Sequence, residues 1–110
     1  MTIWNKILGE SKREYAFRMC HDSENFAGLP GVYIITRIVD FSRETMLVEA
    51  VNDLAVGVDC CRSMQNNRSV DERLTLGVLL CPQSDAEARE AIANDVRRGV
   101  LFASRNDMAA

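Results

Sequence analysis

One run constrains this chain more than any other: Leu29-Pro30-Gly31-Val32-Tyr33-Ile34-Ile35-Thr36-Arg37-Ile38-Val39. It is dense in β-branched and aromatic residues, begins at a turn signal (Gly28 to Gly31) and stops before the polar Asp40-Phe41-Ser42-Arg43-Glu44. Strand alternation puts Val32, Ile34 and Ile38 on one face and Tyr33, Ile35 and Val39 on the other. A strand that is apolar on both faces needs cover on both, which places it in the middle of a sheet.

The rest of the chain supplies neighbours for that strand. Glu14 to Cys20 alternates, with Tyr15, Phe17 and Met19 on one face and Glu14, Ala16 and Arg18 on the other, the pattern of a half-buried edge strand. Thr45 to Val51 reads as a strand, and the short polar connection before it predicts an antiparallel hairpin with the central strand. Asn52 or Asp53 can cap a helix whose apolar face is Leu54, Val58, Cys61 and Met64. Gly57 inside it costs about 1 kcal/mol relative to Ala. Arg73 to Cys81 is a further strand, stopped by Pro82.

Ser84-Asp85-Ala86-Glu87 reads as a capping box opening a helix that buries Ala88, Ile92 and Val96 and carries Arg97 and Arg98 in its last turn. Val100-Leu101-Phe102 is expected to pack back on the body, and the chain to fray from Arg105. Residues 2–9 place Ile3, Trp4, Ile7 and Leu8 at helical spacing, predicting a short helix anchored by Trp4. The expectation is one α+β domain over residues 1–110. Its sheet is small and mainly antiparallel, with three to four strands flanked by helices.

Length and charge bound the function. A chain of 110 residues supports a single core, and a net charge of −3 opposes an overall basic nucleic-acid binder. No apolar run reaches the roughly 18 residues of a membrane span. The first ten residues lack signal-peptide architecture, so a cytoplasmic location is expected. Cys20, Cys60, Cys61 and Cys81 lack metal-ligand spacing, and His21 directly follows Cys20 on a segment where neighbours face opposite ways. Reduced, mostly buried thiols are expected, with no metal and no cofactor. No phosphate loop, paired-carboxylate signature or Ser/His/Asp arrangement is present.

Leu29-Pro30-Gly31-Val32-Tyr33-Ile34-Ile35 resembles the opening motif of the GIY-YIG nuclease domain. Met46 to Val58 can be laid without a gap on that family's second strand, turn and first helix, matching best at Val48 and Asn52-Asp53-Leu54. Asp85 to Val96 is similar to its last helix, and Asn106 falls near a terminal asparagine. The resemblance spans about residues 15–106 and implies a tyrosine that handles the attacking water's proton, an arginine on phosphate charge and a glutamate on a divalent metal.

Carried over residue by residue, the family's first tyrosine is Tyr33. Its second falls on Leu47, its arginine on Gly57 and its glutamate on Ala93. Leucine has no proton to exchange, glycine no charge and alanine no metal-ligating oxygen. The resemblance therefore implies a vestigial site (Tyr33, Leu47, Gly57, Ala93) and a non-catalytic scaffold or protein-interaction module, with a protein partner or self-association. The alternative is a nucleic-acid binder or divergent metal-dependent nuclease. It would use Glu90 or Asp95 as relocated acid and Arg37, Arg62 and Arg89 as contacts to nucleic acid.

Overall fold

The computed structural model describes residues 3–20, 25–39, 42–68 and 72–109, and only the backbone of residues 39, 42 and 101–109. In chain order the elements are β1 (Trp4–Leu8), β2 (Glu14–Met19), β3 (Gly31–Val39), β4 (Ser42–Val51), α1 (Ala55–Asn66), β5 (Leu74–Leu80) and α2 (Ala86–Ala109). The strands form one antiparallel sheet in the order β1-β2-β5-β3-β4. The domain is α+β, with a helix on each face of the sheet.

The strand apolar on both faces is interior, as its sequence requires. β3 pairs with β5 on one side and β4 on the other. Its even residues Val32 and Ile34 join Tyr15, Phe17 and Val48 beneath Ala93 and Val96 of α2. Its odd residues Tyr33 and Ile35 join Phe26, Leu76 and Val78 beneath Leu54 and the apolar stripe of α1. The β3–β4 hairpin is antiparallel, with Ile35 opposite Leu47 but Thr36 opposite Thr45. Met46 is thus an extra residue, a bulge that adds local twist to this edge strand.

Several expectations are corrected. The sheet has five strands rather than three to four, because the N-terminal segment is a strand and not a helix. Ile3, Trp4, Ile7 and Leu8 fit a helical stripe, but the turn after Leu8 folds the segment onto β2. There Gly9 N–H donates to the Arg13 carbonyl at 2.9 Å and Lys12 adopts a left-handed φ of 75°. β2 is therefore not an edge strand over its whole length, since β1 covers its outer side from Glu14 to Arg18. Trp4 is no anchor: it is 55% exposed on the outer face of β1.

The helix ends also differ. Asp85, not Ser84, caps α2, its carboxylate accepting from the Ala88 N–H at 2.8 Å. α2 does not stop near Gly99 but continues to Ala109. Arg97 leaves the helix sideways, and its Nε–H donates to the Val48 carbonyl on β4 at 2.9 Å. Val100 packs on the core, as expected. The readings that concern His21, residues 40–41, and the side chains of Leu101, Phe102 and Asn106 lie outside the described residues.

Candidate functional site

The sequence singles out Tyr33, Leu47, Gly57 and Ala93, and the fold brings three of them to one face. Tyr33 and Leu47 lie on adjacent strands, and Gly57 of α1 rests on the Tyr33 ring. A β-carbon at Gly57 would lie 2.7 Å from Tyr33 Cγ, so the missing side chain is what lets α1 sit on β3. Ala93 belongs to α2, in the core cluster on the opposite face of the sheet.

Tyr33 is only 3% exposed. Burial pushes its hydroxyl pKa up, and the hydrogen bond with the Cys60 thiol and the charge of Glu49 push the same way. A tyrosine that takes a proton from water needs the opposite shift. This hydroxyl stays protonated as part of the packing.

The three arginines do not form a patch. Arg37 at the end of β3 pairs with Glu44 at 3.0 Å and Glu72 at 3.8 Å. Arg62 is exposed on α1. Arg89 is 6% exposed on α2 and donates to the Ser84 carbonyl and the Asn52 side-chain oxygen. The helix N-termini are no freer, since Asp53 accepts from the Ala55 N–H at 3.0 Å and Asp85 accepts from Ala88. Those carboxylates occupy the place a phosphate would take. The relocated acids are engaged too: Glu90 pairs with Arg97 at 3.1 Å, and Asp95 is held by three donors.

Asp95 marks the feature that sequence reasoning missed. From α2 it accepts the Ser11 N–H at 2.9 Å, the Ser11 hydroxyl at 2.6 Å and the Tyr15 hydroxyl at 2.7 Å. The Glu10 N–H adds a bond to the Asp95 carbonyl at 3.0 Å. The Ser11 hydroxyl, then its N–H, then Tyr15 hold the Asp95 carboxyl below the usual carboxylate range. Burial first, and then Asp95, raise the Tyr15 pKa. Gly9 and Gly99 permit this approach: a β-carbon on Gly9 would meet the Asp95 carboxylate, and one on Gly99 the backbone of Leu8, Gly9 and Glu10.

This latch closes one end of an open cleft of about 870 Å³ between the β1–β2 turn and α2. Ser11, Lys12, Arg13 and Tyr15 form one wall, and Ala88, Ala91, Ile92 and Asp95 the other. The helical wall is a single stripe at i, i+3, i+4 and i+7. Its small alanines keep the cleft open. The register of β2 with β5 covers only Arg18↔Val78 and Met19↔Gly77, whereas β1 follows β2 down to Glu14.

Cys20, Cys60 and Cys61 are partly buried free thiols and Cys81 is a buried one, its pKa raised by burial and eased by Arg89. No group of three His, Cys, Asp or Glu among the described residues could hold a metal ion. No described helix is long and apolar enough to cross a membrane. Comparison with protein-family models, with curated proteins and with solved structures finds no match for this chain.

Proposed function

We propose that this chain is a non-catalytic α+β domain that acts by binding another protein. The observation that carries the reading is the fate of the catalytic positions. Tyr33 is buried with a raised pKa, Gly57 is a packing contact, and Ala93 is fully buried on the other face of the sheet. The likeness to a GIY-YIG frame draws support from the β3–β4 hairpin and from α1 lying on Tyr33; Ala93 gives it none. The dispersed and engaged arginines disfavour the nucleic-acid alternative.

The test is incubation of the chain with DNA and RNA in Mg²⁺ or Mn²⁺, beside retention on nucleic-acid polymers at low salt. The expected outcome is neither cleavage nor salt-dependent retention. Metal-dependent cleavage abolished by Glu90→Gln or Asp95→Asn would overturn the reading.

A further inference from the structure

We draw no further inference here: the strongest candidate, the open cleft between the β1–β2 turn and α2, has polar walls that are engaged with one another, Ser11 and Tyr15 on Asp95 with the Arg13 charge beside them, and nothing in the structure shows what covers it.

Discussion

Gly99→Ala separates two opposing effects and has a definite expected sign. In an isolated helix interior, Ala is better than Gly by about 1 kcal/mol. Here the new β-carbon would lie 2.3 Å from Leu8 O, 2.7 Å from Gly9 C and 2.9 Å from Glu10 N. All three are backbone atoms, so no rotamer change relieves the clash. The β1–β2 turn must back away from α2, which strains the bonds that Glu10 N–H, Ser11 and Tyr15 make to Asp95. Overpacking that only a backbone shift can relieve costs about 3 kcal/mol, the upper end of its usual range. After the helix gain, Gly99→Ala should destabilise by about 2 kcal/mol. Urea denaturation measures this directly, and each kcal/mol should lower Tm by about 4–8 °C. The loss should be local first. β2 is tied to β5 by only two residue pairs, so the Asn5 and Ile7 amides should lose exchange protection while Val32 and Ile34 keep theirs. A variant as stable as the parent, with unchanged exchange in β1, would refute the reasoning.

Gly57→Ala meets Tyr33 at the root of a fully packed side chain, so overpacking of about 1–3 kcal/mol should exceed the helix gain and lower the urea midpoint. Asp95 titrates below its ordinary 3.8 when folded. Its contribution is therefore complete above that value and is lost as pH falls through the lower folded value; Asp95→Asn should be less stable at neutral pH and should flatten the acid loss in urea titrations. The Tyr33 shift runs upward, so its contribution is complete below 10.0 and disappears as pH rises further, and Tyr33→Phe should be more resistant to alkaline unfolding. Arg97→Ala removes the donor from the Val48 carbonyl at the β4 edge and should cost about 1.5–3 kcal/mol, the usual range for a hydrogen bond to a charged group, as read by thermal denaturation.

The parts of the fold that were legible in the sequence are those fixed by local periodicity. β3 announced its interior place because both its faces are apolar. β5 announced its two faces through Leu74, Leu76 and Val78 against Thr75, Gly77 and Leu79, and the stripe of α1 follows Leu54, Val58, Cys61 and Met64. β1 was misread for a physical reason. Trp4 and Leu8 face solvent, where polar residues are the rule, so the strand lost its alternation and imitated a helical stripe. Gly99, two residues after Arg97, imitates a helix stop; its role is set by the backbone of Leu8 to Glu10, roughly ninety positions away. The Asp95 latch is likewise invisible locally. Ser11, Tyr15 and Asp95 are separated by more than eighty residues in one case and eighty in the other, and only the return of α2 beneath the β1–β2 turn makes them neighbours.

The same long-range closure keeps the four positions that the resemblance singles out from acting together. Antiparallel pairing puts Tyr33 and Leu47 on neighbouring strands, and Gly57 lets α1 close over them. That closure buries the tyrosine, raises its pKa and leaves no room for a cation at position 57. Ala93 is held behind the sheet, between Val96 and the even-numbered side chains of β3. A carboxylate there would be buried in an apolar cluster, with a strand layer between it and Tyr33. β3 is the best-packed strand. β2 is the less completely paired one: only Arg18 and Met19 are in register with β5, and its first residues pair with β1 alone, next to the turn that Asp95 fastens to α2.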